Sequence, residues 1–134
     1  MKKDPLRIQS HVILGILILQ YLFGMAANLF VQFPDSHNEK NLWQFAQGQW
    51  TIVTHMILGF LLLIGAIVLL FRAIRRKEKN WIIAASIGLA AILSAIGAGS
   101  EFIPTQQDVY SYIMAATFII AVLAYGWGIY KAKK

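Results

Sequence analysis

Residues 41–79 read NLWQFAQGQWTIVTHMILGFLLLIGAIVLLFRAIRRKEK, and this stretch decides how the chain folds. From Asn41 to Phe71 there is no Asp, Glu, Lys or Arg; then come Arg72, Arg75, Arg76, Lys77 and Lys79 in quick succession. A helix in water keeps charge on its outer face. A run this long that is uncharged on every face belongs in lipid, with the basic cluster marking its cytoplasmic end.

Three further charge-free runs extend from Ile8 to Pro34, Asn80 to Ser100 and Val109 to Tyr130. About 20 helical residues cross the hydrocarbon core, and backbone in lipid must satisfy its own hydrogen bonds, so each run is expected to be a helix. The spans are placed near 8–31, 49–72, 80–99 and 107–130. The expected fold is all-α: a single domain over 1–134, an integral membrane antiparallel four-helix bundle with both termini inside. The composition agrees, since 58% of the 134 residues are hydrophobic and only 13% charged, against about 25% charged in soluble domains. Lys2, Lys3 and Arg7 ahead of an apolar run imitate a secretory signal, but the run is too long for a signal core and reads as a retained first span.

Orientation follows from charge. The N-terminus, the 72–79 turn and the C-terminal tail hold every Lys and Arg except Lys40, with the acids Asp4 and Glu78. The other two connections hold Lys40 against Asp35, Glu39, Glu101 and Asp108. This positive-inside asymmetry puts both termini in the cytoplasm, of a bacterial cell membrane. Trp43, Trp50, Tyr110 and Tyr112 fall at the outer boundary, and Trp81, Trp127 and Tyr130 at the inner one, as interfacial anchors. The net charge of +6 lies beside apolar runs, where anionic headgroups attract it. Membrane lipids are the expected partners, with a homo-oligomer or a larger membrane complex open, and no nucleic acid. The absence of cysteine excludes disulfides, thiolate metal sites and iron–sulfur clusters.

Local signals punctuate the connections. Pro34 ends or interrupts the first helix, Ser36 with Glu39 fits a capping box, and Leu42, Trp43, Phe45 and Ala46 form one side of a short helix in the interface. Thr105 with Asp108 repeats the capping pattern before the fourth span. Ala84, Gly88, Ala91, Ala95 and Gly99 share a face of span three, which is therefore expected to pack most closely.

Candidate chemistry is sparse. His55, one and a half turns inside Trp50, is the ionisable side chain deepest in an apolar run, and such groups usually face a bundle interior. A neutral imidazole offers one lone pair to a metal or haem iron, and Gly59 one turn deeper leaves a flat macrocycle unobstructed. Equally, His55 reads as a structural histidine bonded to a neighbouring helix or to Thr51. Met25 and Met114 match its depth as axial partners or serve as packing. His11 sits about 20 Å away along the membrane normal, at 1.5 Å per residue, and reads as an interfacial residue beside Arg7. Gln20 is mid-membrane and needs a hydrogen-bonding partner, with Tyr21 and Tyr125 as candidates. At the outer rim, Glu101 and Asp108, with Asp35, His37 and Glu39 across the connection, offer a carboxylate to hold the His55 Nδ1 proton or to bind a cation loosely. No nucleophile elbow, phosphate loop or pore-lining charged stripe is present.

The segments Gln20-x-x-x-Gly24 and His55-x-x-x-Gly59 resemble the histidine-bearing spans of membrane haem proteins, including the haem A synthases and small membrane cytochromes b. They are also similar to small bacterial four-span proteins of unknown function. What the resemblance implies is binding of a b-type haem through His55. Spans three and four carry no histidine, so the second histidine of those proteins has no counterpart. Three functional readings stand: a haem-binding or redox-associated protein using His55, a non-catalytic structural or accessory subunit, and a module that binds or transports a lipid or other hydrophobic ligand.

Overall fold

The computed structural model describes residues 4–35 and 38–131, all of it helix and connecting turns. The helices are α1 Pro5–Phe30, α2 Glu39–Gly48, α3 Trp50–Arg75, α4 Lys79–Thr105 and α5 Asp108–Lys131. Four of them, all but α2, are long and apolar enough to cross a membrane. The chain is a small all-helical membrane-spanning protein. Each long helix overlaps its expected span and exceeds it by a few residues at one end or both, because the charged first and last turns remain helical.

The ends of the helices follow local chemistry. Asp4 caps α1, its carboxylate accepting from Leu6 N–H at 3.2 Å, and Pro5 occupies the first turn, where its missing N–H costs nothing. α1 stops at Phe30, before Pro34. Asn38 caps α2 by accepting from Lys40 N–H at 3.0 Å; Ser36, where the capping box was expected to begin, lies outside the described residues, as does His37. The turn after α3 closes through Lys77 at φ 56°, with Glu78 N–H bonded to the Ala73 carbonyl at 3.1 Å, a Schellman-type ending. α4 runs past its expected end and through Pro104 to Thr105, and Gln106 at φ 53° ends it. Proline is tolerated there because the Ser100 carbonyl it deprives belongs to an exposed residue in the final turns. Thr105 is therefore no N-cap for α5; its hydroxyl donates to the Glu101 carbonyl of its own helix.

Long α1 packs on α3 and α5, α3 on α4, and α4 most extensively on α5. Register is visible in the cross-helix contacts. Gln9 donates to the Gly65 carbonyl at 2.9 Å and Gln20 meets His55 at 3.1 Å, so residue numbers rise along α1 as they fall along α3. Trp81 sits against Gly128 and Gly88 against Tyr125, giving the same descending order for α4 and α5. α2 rests on α3 and α4 through buried Leu42 and Ala46, beside Ile52 and Ile103.

On the small-residue face expected of span three, Ala84, Gly88 and Ala91 are buried, whereas Ala95 and Gly99 are half-buried and line the cavity described below. Trp81, in the first turn of α4, is 2% exposed and packed between α4 and α5. Gly128 is the reason: a Cβ there would lie 2.8 Å from the Trp81 ring, so only glycine leaves the indole room. Most of the remaining apolar side chains on the outer faces, such as Leu29, Phe60, Ile64 and Leu123, are exposed, which is the normal state of a surface solvated by acyl chains.

Candidate ligand cavity and the His55–Gln20 pair

His55 faces α1, where Gln20 engages both of its ring nitrogens. Nδ1 lies 3.0 Å from the Gln20 main-chain carbonyl and Nε2 lies 3.1 Å from the Gln20 side-chain nitrogen. A carbonyl only accepts, so Nδ1 carries the hydrogen; Nε2 then accepts from the amide, and the ring is the neutral Nδ1–H tautomer. The Glu101 carboxylate is not the partner of Nδ1, and Thr51 is not a partner of the ring. Neither Tyr21 nor Tyr125 bonds Gln20. The Tyr125 hydroxyl lies against Gly88 instead, buried and without a hydrogen-bond partner among the described residues.

Two glycines make the approach feasible, in a reciprocal way. A Cβ on Gly24 would lie 2.9 Å from His55 Cε1, so the imidazole lies against bare α1 backbone one turn beyond Gln20. A Cβ on Gly59 would lie 3.4 Å from Gln20 Nε2, so the amide occupies the space beside α3 one turn beyond His55. Each Gln-x-x-x-Gly or His-x-x-x-Gly segment thus supplies a polar group and the recess that receives its partner's. Gly59 has the Gln20 amide beside it and also lines the cavity described next. Interhelical hydrogen bonds in lipid average about 0.6 kcal/mol, so the pair sets register more than it adds stability. The Gln20 Oε1 atom is left buried and unpartnered among the described residues.

Beside this pair lies a cavity of about 320 Å³ between α1, α3, α4 and α5, with α2 contributing Trp43. Its walls are chiefly apolar: Leu17, Ile52, Ile92, Ile96, Phe102 and Ala121 among them. Tyr21 and Phe118 stack in it with ring centroids 4.8 Å apart. The polar exceptions include Gln20, Asn28, His55, Ser100, Ser111 and Thr117. The Ser100 and Thr117 hydroxyls bond carbonyls of their own helices, which hides their polarity from the cavity. Tyr21, Met25 and Phe60 lie at its edge, 41%, 40% and 59% exposed, facing the surroundings of the helices.

The other candidate residues fall into place around it. Met25 and Met114 both line the cavity with His55; Met114 Sδ also packs beside Gly99, 3.4 Å from where a Cβ would be. His11 is exposed and bonds the Arg7 carbonyl at 2.7 Å within its own helix, far from the cavity. Glu101 is exposed and outside the lining. Among the described residues no group of three or more His, Asp or Glu side chains is placed to hold a metal ion. For a haem the donor set on the common cavity is one imidazole and the thioethers of Met25, Met56 and Met114, Met56 being on the same helix as His55, and the lone pair of that imidazole is directed at Gln20.

The partnership of Gln20 and His55 is the feature that sequence reasoning missed. Its signal was present but not unique: a polar residue followed four positions later by glycine occurs at His11 and Gln20 in α1 and at His55 in α3, and only the descending register pairs Gln20 with His55. No family model matches the chain, and no curated protein or solved structure matches it either.

Proposed function

We propose that this protein is a membrane-embedded binding module that takes a hydrophobic ligand from the bilayer into the cavity beside His55. The observation that carries the reading is the cavity itself: about 320 Å³, mostly apolar walls, and an edge made of side chains exposed to the surroundings of the helices. Its size is at the lower end of the range for small-molecule pockets, roughly 300–1,000 Å³. The His55–Gln20 pair holds α1 against α3 at the cavity wall and keeps its shape fixed without a bound group.

The reading includes an antiparallel four-helix arrangement with both termini cytoplasmic, supported by the charge asymmetry and the descending registers. Since the chain has no cysteine, single cysteines placed at Lys77 and at Gln107 and probed with an impermeant maleimide test the sides directly.

The ligand test is photolabelling in membranes with a diazirine-bearing long-chain hydrocarbon. Label concentrated on cavity residues such as Met25 and Met114, and lost in Ala95→Phe, supports the reading. Label spread evenly over the outer faces, unchanged by Ala95→Phe, removes it. A second reading, haem held by His55 with Met25 or Met114 opposite, is favoured by the three sharing one cavity. It requires Gln20 to release Nε2. Expression with added haem tests it: a Soret band that disappears in a folded His55→Ala variant supports haem, and purified protein without one counts against it.

A further inference from the structure

At the opposite end of α3 from α2, a cleft of about 410 Å³ lies between the first turn of α1 and the last turns of α3. Its lining joins two kinds of surface: Pro5, Leu6, Val68 and Phe71 on one hand, Arg72, Arg75 and Arg76 on the other. The three guanidinium groups are not equivalent. Arg76 is neutralised, with Asp4 at 2.8 Å and Glu78 at 3.2 Å. Arg72 donates to the neutral side-chain amide of Gln9 at 2.9 Å, which orients it without cancelling its charge. Arg75 lies over the Phe71 ring at 5.6 Å. Among the described residues, neither Arg72 nor Arg75 has a carboxylate partner.

We infer that this cleft is a binding site for one anionic phospholipid. Arg72 and Arg75 are three residues apart and share a helix face, so one phosphate placed between them accepts hydrogen bonds from both forks. Val68, one turn before Arg72, continues the same stripe toward the hydrocarbon, where an acyl chain covers it together with exposed Phe71. A soluble anion would satisfy the charges and leave that apolar wall bare; a lipid covers both. The Gln9 contact, braced in turn by Gln9 donating to the Gly65 carbonyl at 2.9 Å, presets Arg72 before the lipid arrives. Some basic character here also offsets the negative end of the α3 dipole, but that need is met by any cation in the last turn and does not call for an apolar wall.

The test is native mass spectrometry of the full chain in mild detergent, titrated with palmitoyl-oleoyl phosphatidylglycerol or with phosphatidylcholine of the same chains. The expected result is a single retained phosphatidylglycerol and no matching phosphatidylcholine adduct. Arg75→Gln, which breaks no bond to another helix, weakens retention about fivefold, and Arg72→Gln with Arg75→Gln weakens it about thirtyfold, at roughly one cation's worth of surface attraction each. Lys77→Gln with Lys79→Gln removes the same charge from the adjacent turn outside the cleft and leaves retention unchanged. Equal retention of the two lipids, or an equal loss from the lysine pair, overturns the site and leaves only diffuse attraction to the membrane surface.

Discussion

The α4–α5 seam near Trp81 and the cavity near His55 use the same ingredient, glycine in a membrane helix, with opposite results. In the seam, Gly88 and Gly128 are filled by Tyr125 and Trp81 from the facing helix, both large rings almost fully buried. Toward α2 the same two helices meet through Gly99 and Met114, and here the filling is incomplete, leaving the apolar space. Across that space Gly24 and Gly59 receive the polar groups His55 and Gln20. Helices in lipid associate through van der Waals contact rather than by escape from water. A well-filled seam is therefore a source of stability, and a space left beside it is stability forgone, which is why the cavity reads as a binding feature.

The comparison predicts a graded set of stability changes, each measurable by unfolding in mixed micelles. The largest belongs to Gly88→Leu, since even a Cβ at Gly88 would meet the Tyr125 ring; overpacking of this kind costs about 3 kcal/mol. Gly97→Leu, a substitution of the same size on the same helix where nothing lies within 4 Å, is expected to cause no loss, since the gain in helix propensity meets no clash. Equal losses from both would mean that the fit of Tyr125 against Gly88 is not what is being measured, since replacing glycine by leucine gains helix propensity at either site.

Gly24→Ala is next. Its methyl group displaces the His55 ring and loosens the bonds to Gln20, at a cost of about 1–2 kcal/mol. A double-mutant cycle of His55→Ala and Gln20→Ala sharpens the point, with an expected coupling of about 0.6–1.7 kcal/mol. A coupling indistinguishable from zero would mean the pair does not hold α1 against α3.

The smallest effect has the reverse sign. Gly99→Ala places its methyl group 3.4 Å from the flexible Met114 thioether at the edge of the cavity. Gain of helix propensity then dominates, and stabilisation of up to about 1 kcal/mol is expected. A destabilised Gly99→Ala would show that this end is as tightly filled as the seam.

The helices were legible in the sequence because spanning lipid is a one-dimensional requirement: a charge-free run of sufficient length, bounded by charge and aromatics. The α2 helix was legible too, since Leu42 and Ala46 are the buried positions and belong to the apolar side that its spacing marks. Less was visible at the ends. Asn38 and Ser36 are both good caps by composition, and Pro104 by itself does not say whether a helix stops before it or carries it in its last turns. The burial of Trp81 in the seam was not visible because a lipid-facing tryptophan and a seam tryptophan have the same neighbours in sequence; only Gly128, 47 positions later, distinguishes them.

By itself, then, the sequence determined that the chain lives in lipid, where its spans lie, and which few polar side chains enter the apolar layer. It did so because the cost of charge and of unpaired backbone in hydrocarbon acts on each segment separately. Tertiary structure alone decided that His55 bonds Gln20, that Trp81 and Tyr125 close one half of the molecule, and that an apolar space remains in the other. Those outcomes depend on which helix faces are brought together and at what register, and in a nearly uniform apolar sequence that is set by the mutual fit of glycine recesses and the side chains that fill them.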